Sequence, residues 1–312
     1  MDRHYLYASK EFEGCNGLGW YGNIQERKTP SVPQSEFKRM VKGLIMKMLF
    51  LMLATISFNL WAQDPVAYLN NFDSKIYSLK TKGVKEFVVD IESPKITKQI
   101  NEQMIFGQVK EVLFRTYWTS NPERMAIEVI GLPDGFREIK EELKLSIFSF
   151  MENLLPLSTV QRFAGYKFHS GAGPKEFVAQ DSTGIANIES FVLRFDNTDR
   201  LIEVVGKKAI GTLVITPRYE KDSFAAGKWV LKASTTTSSE NGQSLVIKKD
   251  LSYGSSQGIG VLSSVTLTTE QKSQAPDAKS LILEETVNFK NYKINGGEAM
   301  KFFLGDSTKP TP

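Results

Sequence analysis

Apolar residues follow a helical period in two stretches of this chain and alternate with polar ones through most of the rest. In the first stretch, Val66, Leu69, Phe72, Ile76 and Leu79 recur at three- and four-residue steps. That spacing predicts a helix over 64–80 with one apolar face. Asp64 followed by Pro65 is a good N-cap and first-turn pair, and Gly83 ends the segment. In the second stretch, Phe136, Ile139, Leu143, Ile147, Phe150 and Leu154 predict a helix over 134–155, with Asp134 as its cap and Pro156 as its stop. Leu145, Phe148, Met151 and Leu155 add a second apolar stripe to its C-terminal half. A helix apolar on most of its circumference must be buried on several sides or cover something apolar. Residues 158–164 add a further helical turn.

Elsewhere the period is two. Strands are expected over 84–92, 96–104, 109–118 and 125–130, with Asn121-Pro122 as a turn between the last two. Further strands are expected over 176–180, 185–195, 201–205, 209–216, 228–237, 244–253, 260–269 and 280–291. Asp196–Asp199 and Glu240-Asn241-Gly242 read as hairpin loops. Short turns between consecutive strands allow only antiparallel pairing, because a parallel crossover needs a dozen or more residues. The expected fold class is mainly β (α+β). It is a strongly curved antiparallel sheet or unclosed barrel of about 10–12 strands in one meander, with a helical lid or plug.

The segment before the first helix belongs to a different physical class. Lys47 is followed by an apolar run from Met48 to Phe58, and Leu60 and Ala62 stand at −3 and −1 of a cleavage site before Gln63. This is the layout of a secretory signal peptide over 46–62. A transmembrane anchor would need roughly 18–20 apolar residues, and Lys42 and Lys47 interrupt any longer stretch. Residues 1–45 show no sustained period. They are expected to be a disordered, non-native upstream extension, with Met40, Met46 and Met48 as alternative starts; an appended cytoplasmic tail is the other reading. Residues 63–305 are then expected to form one β-rich domain and 306–312 a flexible tail.

Composition narrows the function classes once that segment is set aside. Residues 1–62 hold eight of the 39 basic and five of the 35 acidic residues, so the remainder is nearly neutral, with 31 against 30. No basic cluster points to nucleic acid. Cys15, the only cysteine, lies upstream of the cut, which suits an oxidising compartment and excludes lipidation by the bacterial lipoprotein route. One remaining histidine, His169, cannot build a zinc site without cysteines, so neither cofactor nor metal is expected. Gly254-Ser-Ser-Gln-Gly258 matches the nucleophile-elbow pattern, but a strand follows it and no histidine lies downstream, so it reads as a glycine-rich hairpin turn. Glu141-Glu142 and Glu284-Glu285 are adjacent pairs whose members point apart, so they read as solvated. No catalytic constellation emerges, and the expectation is a protein that is not an enzyme.

The exported chain, the opening amphipathic helix, the strand run, the helical insertion and the long meander together resemble the LolA/LolB-like periplasmic lipoprotein-carrier fold family. The phrase Phe191-Val-Leu-Arg-Phe-Asp-Asn-Thr-Asp-Arg-Leu-Ile-Glu-Val204 is similar to a hairpin of those proteins, as are Gly227–Leu231 and Val287–Asn295. The resemblance implies an unclosed barrel that holds acyl chains under a helical lid while crossing the periplasm. Trp118, Phe148, Phe150, Met151 and Leu154 are the candidate contacts to a hydrophobic ligand; the alternative is that they only pack the helix on the sheet. The expected function is a periplasmic carrier or binding protein for acyl chains or lipidated proteins. Its partners would be such a ligand or an envelope protein, with no nucleic acid and no stable membrane span after signal cleavage. A non-enzymatic envelope scaffold with a packed core is the alternative.

Overall fold

Twelve antiparallel strands form one sheet in the computed structural model of the protein, which describes residues 64–103, 108–240, 243–273 and 280–305. The upstream extension, the signal segment, the Asn241-Gly242 turn and the tail lie outside the described residues. The strands are β1 Glu86–Glu92, β2 Leu113–Ser120, β3 Glu123–Ile130, β4 Tyr166–Ser170, β5 Glu176–Asp181 and β6 Ile188–Phe195. They continue with β7 Leu201–Lys208, β8 Thr212–Lys221, β9 Trp229–Glu240, β10 Gln243–Ser256, β11 Ile259–Ser273 and β12 Leu281–Ile294. Their order across the sheet is β3-β2-β1-β12-β11-β10-β9-β8-β7-β6-β5-β4. The sheet is therefore not one meander. β4 to β12 meander, and β1 to β3 fold back so that β1 pairs with β12, setting Val88 against Lys293 and Ile91 against Phe289.

Register shifts that place an extra residue in β6, β7, β9, β11 and β12 curl the sheet, since such a residue bends its strand and increases the twist. The curl does not close, because β3 and β4 remain unpaired with one another at the two edges. The expected mainly-β, unclosed architecture is thus what the chain adopts. The GxSxG match lies in a tight hairpin: Gln257 and Gly258 have φ of +52° and +74°, and Ser256 pairs with Ile259. This is the turn geometry that favours glycine, and it gives no strand–turn–helix bend. His169 is exposed on edge strand β4.

The strand expected at 96–104 is a helix, α2, Pro94–Gln103. Ser93 Oγ accepts from the Ile96 amide at 3.3 Å, Pro94 opens the first turn, and Ile96 and Ile100 face the core one helical turn apart. The apolar spacing of four overrides the β-branched content. The opening helix, α1, runs only Pro65–Ser74, capped as expected by Asp64, whose carboxylate accepts from the Val66 amide at 3.0 Å. The long helix, α3, covers Arg137–Leu154; Phe136 holds the cap position without a side-chain bond, so Asp134 is not the cap. A short α4, Thr159–Arg162, follows with a Ser158–Gln161 capping box. A last helix, α5, Glu298–Leu304, had no counterpart in the pattern. It lies on the outer side of β1 and β2, where Phe302 stacks on Tyr117 with centroids 4.0 Å apart, and Glu86 accepts from the Gly297 and Met300 amides.

The connection between β3 and β4 joins opposite edges of the sheet, so α3 and α4 must cross it. α3 crosses on the inner face, burying Ile147, Phe150, Met151 and Leu154 among Phe114, Val265, Val287 and Phe289. A second core gathers Tyr68, Leu69 and Phe72 of α1 against Phe177, Leu193 and Phe195 of β5 and β6. Each buried apolar side chain contributes roughly 1.5–3 kcal/mol of transfer free energy.

Asp199, at the tip of the β6–β7 hairpin, ties α1 to this second core. It accepts from Lys175 Nζ at 2.6 Å, Lys75 Nζ at 3.0 Å and the Tyr68 hydroxyl at 2.8 Å. The hydrogen bond from Lys175 leads in holding its carboxyl at about 2, burial opposes, and Lys75 and Tyr68 add to the lowering. The folded value lies below the unfolded one, so this stabilisation is present above the ordinary carboxylate range and is lost as pH falls toward 2. Asp199→Asn is expected to cost about 1–2 kcal/mol at pH 7, after allowing for solvent around the two half-exposed lysines. Chemical denaturation at pH 7 and near pH 2 checks it, and the difference between the proteins should vanish at the acid end.

Candidate functional site

The two cores do not meet. Between them a cavity of about 170 Å³ remains, walled by Leu79, Leu154, Leu251 and Leu262 of the first core and by Phe72, Phe163, Leu201 and Val204 of the second. α1 and the chain after it form one side, the end of α3 and α4 form the roof, and β7 to β11 form the floor. An apolar cavity of about 150 Å³ takes a benzene ring, so this one has room for about six carbons. It is smaller than the roughly 300–1,000 Å³ of a site that encloses a whole drug-sized ligand.

Tyr77, Tyr219 and Tyr253 supply part of the polar wall, beside Asp73, Glu152, Arg162 and Lys249. Tyr77 donates to the Gly260 carbonyl at 2.6 Å and Tyr253 to the Leu231 carbonyl at 3.1 Å, so both hydroxyls are satisfied inside an apolar surround. Burial pushes the Tyr77 and Tyr219 phenols up to about 12 and Tyr253 higher still, so all three stay neutral at physiological pH. Tyr219 packs edge-on against Phe72 with centroids 5.9 Å apart. Asp73 also lines the wall, its carboxylate accepting from the Thr159 amide and hydroxyl, each at 2.7 Å. Desolvation raises the Asp73 carboxyl above its usual range, against the lowering by the Thr159 bonds and Arg162.

The five residues expected to touch a ligand are spread over three environments. Leu154 lines the cavity. Trp118, Phe150 and Met151 are buried in the first core; Trp118 stacks on Phe87 with centroids 5.3 Å apart, and the Met151 sulfur lies 3.9 Å from the Thr116 hydroxyl. Phe148 is 55% exposed on the outer side of α3, beside Leu145 at 75%. The second apolar stripe of α3 is thus divided, with Met151 turned inward and Leu145 and Phe148 facing solvent.

Lys249 and Arg162 were missed as lining residues, and so were Phe72, Ile215 and Tyr219. The sequence did carry a signal for Lys249. Leu245, Ile247, Lys249, Leu251 and Tyr253 share one parity in β10, so a lysine interrupts an otherwise apolar inward row. Arg162, Phe72 and Ile215 converge from separate elements, which no local pattern marks.

Among the described residues no group of three or more His, Cys, Asp or Glu side chains could hold a metal ion, and no helix is long and apolar enough to cross a membrane. Set against protein-family models, curated proteins and solved structures, the chain finds no match in any of the three.

Proposed function

We propose that this protein is an exported carrier or binding protein for acyl chains or lipidated proteins of the cell envelope, of the LolA/LolB-like type, with residues 46–62 as its export signal. The observation that carries this reading is the cavity under the end of α3, where apolar side chains from both cores form much of a wall that also carries polar and charged groups. A well-packed domain leaves few voids larger than a water molecule, so a cavity of this size between two packed cores is room kept for something. The enclosed part takes the end of one chain.

Ile215 lines the cavity from β8 and is half-buried at the edge of the second core, so a larger side chain there takes up part of the void. Ile215→Trp is expected to weaken binding of 1-octanol at least tenfold, as measured by titration calorimetry, since roughly six buried methylenes at about 0.8 kcal/mol each lose their site. Phe148→Ser, on the outer side of the same roof, should leave that binding unchanged. Equal binding by the wild type and Ile215→Trp, or none by either, would remove the carrier reading.

One observation favours the scaffold reading. Leu281 and Leu283 on one face of β12 and Ile282 on the other are 55%, 50% and 61% exposed, so both faces of this strand end offer apolar surface of the kind that marks contact sites. That reading is supported if 1-octanol does not bind and substitution of these three residues by serine dissociates a complex purified from the envelope.

A further inference from the structure

Lys249 is out of place for a wall residue. In the β10 register it stands opposite Leu267 of β11 and Ser234 of β9, one inward position from the buried Leu251. Its side chain is half-buried and lines the cavity, yet it makes no hydrogen bond or ion pair among the described residues. Every nearby carboxylate is otherwise engaged or too far. Asp73 is held by two bonds from Thr159, and Glu152, exposed at the end of α3, lies beyond ion-pair reach. Arg162 faces the same mouth from α4, also without an ion pair among the described residues. Burial pushes the Lys249 ammonium below the ordinary lysine range; Glu152 opposes that and Arg162 adds to it. An unpaired ammonium at the rim of an apolar void is costly, and an anion placed against it removes the cost.

We infer that the ligand is a monoanionic amphiphile with a single apolar chain, its tail in the cavity and its carboxylate-type head against Lys249 with Arg162 flanking. This rests on the reading that the cavity binds apolar ligands, and it adds the chemistry of the head group. The dimensions agree: about six carbons fill the enclosed volume before a chain reaches the rim.

Octanoate and 1-octanol share a chain length and differ in charge, so calorimetric titration of both into the full chain separates the two ideas. The wild type should bind octanoate about tenfold more tightly than 1-octanol, the scale of one charge-assisted hydrogen bond in a partly desolvated site. Lys249→Met should bring octanoate within about twofold of 1-octanol without weakening the alcohol, and Lys249→Arg should restore most of the preference. Octyltrimethylammonium should bind more weakly than the alcohol. If 1-octanol binds and octanoate shows no preference, or if Lys249→Met keeps the preference, the head-group assignment falls and the apolar cavity stands. If neither compound binds, the carrier reading falls as well.

Discussion

Arg115→Met is expected to lower stability by about 3 kcal/mol at pH 7, the low end of the cost of leaving a buried charge without its partner. Asp90 is 4% exposed on the outer face of β1, and Arg115 on β2 donates to it from two of its three guanidinium nitrogens, Nε at 2.7 Å and Nη2 at 3.1 Å. Asn291 of β12 donates a third bond at 3.1 Å, so this carboxylate joins the two strands that flank β1. The low end applies because the guanidinium is partly solvated, at 36% side-chain exposure.

The pH dependence gives that expectation its sign. Burial alone would push the Asp90 carboxyl up, but the bonds from Arg115 and Asn291 and the field of Lys293 outweigh it and hold the carboxyl below its ordinary value. A folded value below the unfolded one means stability that is present above roughly pH 4 and lost as pH falls through the folded value. Without Arg115, burial dominates, the folded value rises above the unfolded one, and the penalty is present at neutral pH and relieved by protonation on acidification. The gap between wild type and variant should therefore narrow from pH 7 to about pH 3 in denaturant titrations. Pairing Arg115→Met with Asp90→Asn should recover most of the loss, since no uncompensated charge remains. A gap that is flat with pH would mean that the pair is held mainly by packing.

Trp118→Ala is expected to cost about 3–5 kcal/mol, the range for removing a large buried aromatic ring. Trp118 is 1% exposed, lies against Phe87 at an interplanar angle of 26°, and donates from Nε1 to Glu123 at 3.4 Å while Lys80 Nζ sits 5.7 Å from its ring centroid. The denaturant midpoint should fall with little change in slope. Below the new transition, binding of 1-octanol should match the wild type, because Trp118 does not line the cavity. Loss of binding without loss of stability would instead make Trp118 a ligand contact.

Local pattern carried most of the secondary structure and misread it where two periods overlap. Ile96, Ile100 and Met104 stand four apart, a helical spacing, while the β-branched residues among them favour a strand; Ser93 and Pro94, which open α2, decide between the two. β4, five residues between Gly165 and Gly171, was too short to register, as was the seven-residue α5. α3 was plain from its apolar steps. Which of its two stripes would be buried was not, because Met151 and Phe148 look equivalent until the sheet is placed beneath one of them.

The alternation of side chains along each strand, together with short turns, determined a large antiparallel sheet, since side-chain direction in a strand is set residue by residue. The pairing of β1 with β12 joins positions some two hundred residues apart, and nothing local encodes it. That pairing leaves β3 and β4 as the free edges, and α3 must therefore cross between them. The cavity exists because two cores, one around α3 and one around α1, each pack well without reaching the other. Volume between packing units belongs to the assembled chain alone, so only the tertiary structure decided that Leu154 and Lys249 share a wall while Trp118 does not.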